Sequence, residues 1–186
     1  MRPWNGKDRT MLFKLYSWEG AKQVIGNARA KGKRIVFTNG CFDLLHAGHV
    51  YLLEQAWRQG DFLVVGLNSD ASVRENKGSS RPVMALADRA CMLSSLSCVD
   101  AIVTFNEPTP ARIIEYLAPD VLVKGGDYDP LTLVGGDFVR KRGGEVVIVP
   151  LLPGFSTTAV IEHIEQEGTV QCTASPSLPT SAPTKT

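Results

Sequence analysis

The sequence predicts an α/β protein, a doubly wound parallel sheet of about five strands. Three observations carry that expectation. Short apolar runs such as Phe62-Leu63-Val64-Val65-Gly66-Leu67 do not alternate with polar residues, as strands buried on both faces do not. A stretch with helical apolar spacing follows each run, so strand and helix take turns along the chain. That order implies right-handed crossovers, and glycines or prolines punctuate most of the joins.

Ser17 is placed to cap a helix over 18–30, with Ala21, Val24, Ile25 and Ala28 on one face and Gly32 ending it. The first strand is expected at 34–38, followed by a corner and a helix closed by Gly60. The second strand spans 62–67; Asn68-Ser69-Asp70 ends it and caps a short helix through Glu75. A polar loop, Asn76 to Pro82, precedes a helix over 87–98, a strand at 101–105 and a helix at 109–117 with Pro110 in its first turn. A strand at 120–123, a helix over about 133–142 interrupted by Gly135-Gly136, a strand at 145–149 and a helix from Ser156 to about Gln166 complete the ordered region. Domain limits follow: a lead-in at 1–16, one domain at 17–167 and a Ser/Thr/Pro-rich tail at 168–186 whose composition predicts disorder.

At 186 residues, 44% hydrophobic and 21% charged, the chain can bury one substantial core. A net charge of +1 offers no global basic field, which argues against a nucleic-acid backbone as partner. Cys41, Cys91, Cys98 and Cys172 have neither metal-type nor framework-type spacing, and no secretory or membrane-length apolar segment stands out. A reducing cytoplasm is the expected compartment.

The chemistry concentrates in Thr38-Asn39-Gly40-Cys41-Phe42-Asp43-Leu44-Leu45-His46-Ala47-Gly48-His49. This is a strand-to-helix corner, and such corners lie at the carboxyl edge of a parallel sheet, where open α/β proteins bind ligands. Free N–H groups and the positive dipole end favour an anion there, and the helix's first turn has no acidic residue before Glu54 to occupy the place. His46 and His49, spaced i, i+3, share one side of the first turn. Capping and ring packing are the bland alternatives. Zinc is the chemical rival, although helical zinc pairs are usually spaced i, i+4. Solvated loop charge and plain capping are the corresponding alternatives for Lys77 and Arg81 and for Ser156-Thr157-Thr158.

The pattern Gly-x-Phe-Asp-x-x-His-x-Gly-His resembles the nucleotidyltransferase superfamily that includes cytidylyltransferases and class I aminoacyl-tRNA synthetases. With Gly66-Leu67-Asn68-Ser69-Asp70, Arg81-Pro82-Val83, Val123-Lys124-Gly125-Gly126-Asp127-Tyr128 and Pro153-Gly154-Phe155-Ser156-Thr157-Thr158, it is similar to one branch, the D-glycero-β-D-manno-heptose 1-phosphate adenylyltransferases. The resemblance runs from about Ser17 to Glu165. It implies a Rossmann-like nucleotidyltransferase sheet and transfer of AMP from ATP to a heptose 1-phosphate, with pyrophosphate released.

The resemblance also implies residue roles. His46, His49 and Lys77 would be catalytic. Thr38, Asn39, Gly40, Phe42, Lys124, Gly125, Asp127, Ser156, Thr157 and Thr158 would join the histidines around ATP. Cys41, Asp43, Asn68, Asp70, Lys77 and Arg81 would meet the sugar phosphate. Magnesium would ride on ATP phosphates, so no protein metal ligand is named. Surface heptose glycans such as the lipopolysaccharide core are the implied destination. A homo-oligomer is expected, with neither nucleic acid nor membrane as partner. Many relatives carry a sugar kinase domain on the same chain; here a separate kinase is expected to supply the acceptor. Met84-Ala85 departs from the branch, which often has a polar residue there. A nucleotidyltransferase acting on another sugar or polyol phosphate, a catalytically silent nucleotide-binding module and a macromolecular-interaction role remain as other readings. Deleting residues 169–186 should leave the melting temperature and activity nearly unchanged, since that composition buries too little to offset its ordering entropy. Thermal unfolding of the truncated chain checks this.

Overall fold

The computed structural model describes residues 14–152 and 154–167. The expected tail and most of the lead-in lie outside them. In chain order the elements are β1 (Leu15–Tyr16), α1 (Trp18–Ala30), β2 (Ile35–Gly40), α2 (Ala47–Trp57), β3 (Phe62–Asn68), α3 (Asp70–Lys77) and α4 (Leu86–Ser94). They continue with β4 (Ala101–Phe105), α5 (Ala111–Leu117), β5 (Val121–Gly125), α6 (Gly136–Lys141), β6 (Glu145–Val149) and α7 (Thr157–Glu167). The strands form one sheet in the order β1-β4-β3-β2-β5-β6, and every pairing is parallel.

The sheet therefore has six strands where about five were expected. The addition is β1, two residues at the end of the lead-in that pair with Ile102 and Val103 on the edge. Two residues carry no periodicity to read. The other differences are of length. α4 stops at Ser94, and α6 starts only at Gly136, because Gly135 sits at φ 82° as its N-cap, a conformation outside the right-handed helix. α3 runs on to Lys77, which places that lysine on the last helical turn and not in the loop.

Strand pleating sorts the core into two layers. Val36, Val65 and Val123 pack with Leu53 and Ala56 of α2 and with Ala90 and Leu93 of α4. On the opposite face, Phe37, Val64 and Leu122 pack with α1, α5 and Val139 of α6. Ser17 caps α1 by accepting from the Gly20 N–H at 3.1 Å, and Ser69 caps α3 through the Ser72 N–H.

The chain steps outward from β2 through β3 to β4, then returns to lay β5 against the other side of β2. The carboxyl ends of β2 and β5 are therefore the topological switch point, where a doubly wound sheet opens a crevice. Gly66 of β3 keeps that crevice in shape. A Cβ there would stand 2.6 Å from Phe37 Cζ and 3.2 Å from Asn39 Cβ, and Phe37 is fully buried. Gly66→Ala should cost about 1–3 kcal/mol, the usual result of overpacking, as a lower denaturant midpoint at unchanged slope.

Candidate active site

At the end of β2 the backbone turns through two left-handed residues, Phe42 (φ 46°) and Leu44 (φ 49°), on either side of Asp43. Each costs of order 1–3 kcal/mol and persists only where its surroundings hold it. Asp43 provides the hold. Its carboxylate, 2% exposed, accepts from the Val83 N–H at 2.9 Å and the Met84 N–H at 3.0 Å. Arg81 Nη1 lies 3.2 Å away as a charge partner, outside hydrogen-bond geometry. The Asp43 carbonyl accepts from the Thr157 hydroxyl at 2.8 Å. The corner, the loop before α4 and the start of α7 are thereby fastened together.

The histidines stand at the head of α2. His46 is its N-cap but makes no side-chain cap, and the first turns of α2 and α7 contain no acid. The two imidazoles stack with ring centroids 3.8 Å apart, between Phe42 (5.3 Å from His49) and Phe155 (6.4 Å from His46). Gly48 permits this, since a Cβ would fall 3.0 Å from both His46 Cε1 and Phe155 Cβ. Neither Nδ1 has a hydrogen-bond partner, nor has the buried Thr38 hydroxyl. Burial lowers the pKa of His46 and pushes that of His49 down to about 4, with the neighbouring His46 and Lys77 charges adding to the effect on His49.

A cavity of about 410 Å³ opens at the switch point. It is lined by Asn39, Gly40, Cys41, Asn68, Lys77 and Lys124 among the expected residues. Lys124 Nζ donates to the Asn39 carbonyl at 3.3 Å and lies 5.6 Å from the centroid of the Tyr128 ring. Burial pushes its ammonium below the usual lysine range, and the Lys77 charge acts in the same direction. Among the described residues, neither lysine forms an ion pair with a carboxylate. A second hollow of about 530 Å³, lined by Lys77, Ser80, Arg81, Thr158, Ile161 and Glu162, adjoins at the start of α7. Lys77 lines both.

Several expected residues stand elsewhere. Asp43, expected to face the sugar, is outside the cavity lining because its oxygens are taken by the loop before α4. Asp70 is also outside it and pairs with Arg89 at 2.7 Å. Arg81 faces the second hollow, with Thr158. The Thr157 hydroxyl is engaged by Asp43, Ser156 and Asp127 are exposed, and Phe42 and Gly125 serve packing, the latter against Leu52. Lys124 shares the cavity with Cys41 and Asn68, on the side expected for the sugar. The departure at Met84-Ala85 is harmless to this geometry, because Met84 contributes its backbone, donating to Asp43 and accepting from Arg89.

Arg89 was missed. Its side chain is fully buried, with Nη1 donating to the Cys41 carbonyl at 2.6 Å, Nη2 to the Asn68 carbonyl at 2.9 Å and Nε to the Met84 carbonyl at 3.1 Å. A sequence signal existed: Leu86, Arg89, Ala90 and Leu93 share one helical face, so an arginine sits in an apolar stripe. Among the described residues no group of three or more His, Cys, Asp or Glu could hold a metal ion. No helix there is long and apolar enough to cross a membrane.

Neither histidine lines either hollow, yet two helix starts without an acid, the stacked histidine pair and two lysines without a carboxylate partner among the described residues stand along the carboxyl edge of the sheet, and together they suit a polyanion such as a nucleoside triphosphate. Residues 37–162 match the cytidylyltransferase-like family model, and the chain belongs to that family of nucleotidyltransferases. Among its relatives is the bifunctional protein HldE of Syntrophotalea carbinolica, 54% identical over 146 residues, which are 78% of this chain and 30% of the relative. That of Hydrogenovibrio crunogenus is 55% identical over 162 residues, 87% of this chain and 34% of the relative. The chain thus spans about a third of the length of these relatives. A lipopolysaccharide core biosynthesis protein from Thermoplasma volcanium matches with TM-score 0.54 and 29% identity over 65% of this chain and 98% of that one. A pantoate-β-alanine ligase from Francisella tularensis, 14% identical at TM-score 0.54 over 81% of this chain and 76% of that one, shares the fold.

The histidine pair predicts a pH dependence of stability. An unfolded histidine binds its proton near pH 6.5, whereas His49 in the fold resists protonation until about pH 4. Between those values the unfolded chain binds more protons, so stability falls as pH drops from 6.5 toward 4. His49→Gln should flatten that slope, as read from urea midpoints at pH 7, 5.5 and 4.5.

Proposed function

We propose that this chain transfers AMP from ATP to D-glycero-β-D-manno-heptose 1-phosphate, releasing pyrophosphate and forming ADP-heptose for surface heptose glycans such as the lipopolysaccharide core. The observation that carries the reading is the 410 Å³ cavity, whose walls combine carboxamides of Asn39, Asn68 and Asn76 with the cations of Lys77 and Lys124. Carboxamides hydrogen-bond sugar hydroxyls in either direction, and the lysines balance a phosphate. The HldE relatives, 54–55% identical over this region, support the same substrate. Because the chain spans only part of those relatives, the source of the phosphorylated acceptor belongs to this proposal too, as does a homo-oligomeric state.

In this reading an oxygen of the acceptor phosphate attacks the α-phosphorus of ATP in line. The new P–O bond forms as the bond from Pα to the bridging oxygen breaks, and the electron pair leaves with pyrophosphate. Catalysis by positioning and charge neutralisation suffices, with no covalent enzyme intermediate. His46 and His49 line the triphosphate path. A polyanion there favours their protonated forms, against the burial that lowers both. Asn39 and Gly40 line the cavity beside them, with Thr38 buried behind. Lys77, between the two hollows, spans the acceptor phosphate and the reacting phosphoryl group. Arg81, Thr158 and the start of α7 face the departing pyrophosphate. Lys124 belongs with the acceptor. Magnesium arrives as part of the MgATP substrate.

Incubation with magnesium, each nucleoside triphosphate and a panel of heptose 1-phosphate, hexose 1-phosphates, glycerol 3-phosphate and pantetheine phosphate should give ADP-heptose with the highest kcat/KM. Another preferred product would refute the substrate. Turnover with none would favour a silent binding module. His46→Ala and His49→Ala should each lower kcat roughly a hundredfold while circular dichroism stays native, since each removes a donor from developing charge.

A further inference from the structure

Part of the cavity's wall is Pro108-Thr109-Pro110, which joins β4 to α5 and belongs to none of the motifs above. Proline at both flanks fixes φ and removes two N–H groups, so this wall has little backbone freedom. Thr109 is exposed at the cavity, and its hydroxyl has no hydrogen-bond partner among the described residues. The wall is held through the residue before it. Glu107 accepts at its carbonyl from the Ser72 hydroxyl at 3.2 Å, and its own carboxylate accepts from the Asn106 N–H at 3.1 Å.

Ser72 is fully buried outside the cavity, on α3, yet it touches both sides of it. Its hydroxyl accepts from Asn68 Nδ2 at 3.0 Å while donating to Glu107. A hydroxyl has one proton, so the direction of the relay is set: carboxamide to hydroxyl to carbonyl. With Nδ2 committed, Asn68 Oδ1 is turned toward Cys41, whose Sγ is 4.0 Å away on the cavity floor. The one hydroxyl therefore fixes which face of the Asn68 amide an acceptor meets and how far the Pro108–Pro110 wall stands from it.

We propose that Thr109 is a specificity-determining contact for a hydroxyl of the acceptor's polyol, and that Ser72 is the positioning residue that sets the cavity's width and hydrogen-bond polarity. This rests on the cavity being the acceptor site. A site built around hydroxyl partners discriminates strongly against acceptors that lack them or place them differently.

The test is steady-state kinetics of the full chain and its Thr109→Val and Ser72→Ala variants, with MgATP and either heptose 1-phosphate or a hexose 1-phosphate. Thr109→Val keeps size and removes the hydroxyl. It should raise the acceptor KM about tenfold, leave the ATP KM within twofold and narrow the heptose-to-hexose ratio of kcat/KM. Ser72→Ala should shift the same two quantities, and Ser72→Thr, which keeps a hydroxyl, should restore part of the ratio. A purely structural Ser72 would lower the melting temperature without moving either quantity. If Ser72→Ala does not fold, the Thr109→Val kinetics alone decide. Acceptor KM and discrimination unchanged in folded variants of an active enzyme would overturn this inference and leave the adenylyltransferase reading standing. A wild-type protein that adenylylates no phosphorylated acceptor would overturn both.

Discussion

A single buried carboxylate holds the site together. Taking an ionised group out of water is strongly unfavourable unless it is paired and hydrogen-bonded, so Asp43 must collect partners wherever the chain can bring them. It collects the N–H groups of Val83 and Met84 and the guanidinium of Arg81, some forty residues away in sequence, and its carbonyl engages Thr157 on α7. The left-handed residues on either side make the turn tight enough for one residue to serve all of these. As a result, the start of α7 is tied to the corner that leads into α2, with His46 stacked against Phe155 just before α7.

Arg89 is the complementary case. Asp43 gathers donors, whereas Arg89 gathers acceptors: three carbonyls and Asp70. The two charges share the loop before α4, since Met84 gives its N–H to one and its carbonyl to the other. In a low-dielectric interior, such charge-assisted bonds are strong and their loss is costly, which makes the geometry stiff. Stiffness here matters for chemistry, because in-line transfer depends on reacting groups being held in position. It also explains why charged residues of the motifs, Asp43 and Asp70 among them, are spent on the scaffold, while carboxamides and lysines line the cavity.

What could be read from the sequence divides along the same physical line. The sheet was legible because strands buried on both faces must be continuous apolar runs, and Phe62–Asn68 and Glu145–Val149 are such runs with glycines before or within them. The corner was legible because glycines and histidines at a strand end have few purely structural uses in combination. The work of Asp43 and Arg89 was not, since most of their partners lie 19 to 48 residues away and long-range pairing leaves no period in the sequence. Lys77 read as loop because α3 has a polar composition, and the helix runs two residues past Glu75 to end at Gly78, whose N–H bonds the Arg74 carbonyl. Thr109 read only as the start of a helix that in fact begins at Ala111 after the N-cap Pro110; the fold is what brings the β4 to α5 connection to the cavity.

The basic groups that remain uncommitted share one property. Lys77 and Lys124 repel one another without a carboxylate between them, burial lowers the Lys124 ammonium, and the stacked histidines are held neutral for the same reason. Each is in a protonation or charge state that an arriving polyanion improves, although Lys124 is also bonded to β2 through the Asn39 carbonyl. The fold's stability comes instead from the two apolar layers and the Asp43 and Arg89 networks. A site arranged in this way is tense when empty and relaxed when an anion fills it, because bound negative charge offsets the repulsion between the lysines and favours the charged forms of Lys124 and the histidines. Ligand binding and conformational stability are then linked through electrostatics alone, with the scaffold unchanged.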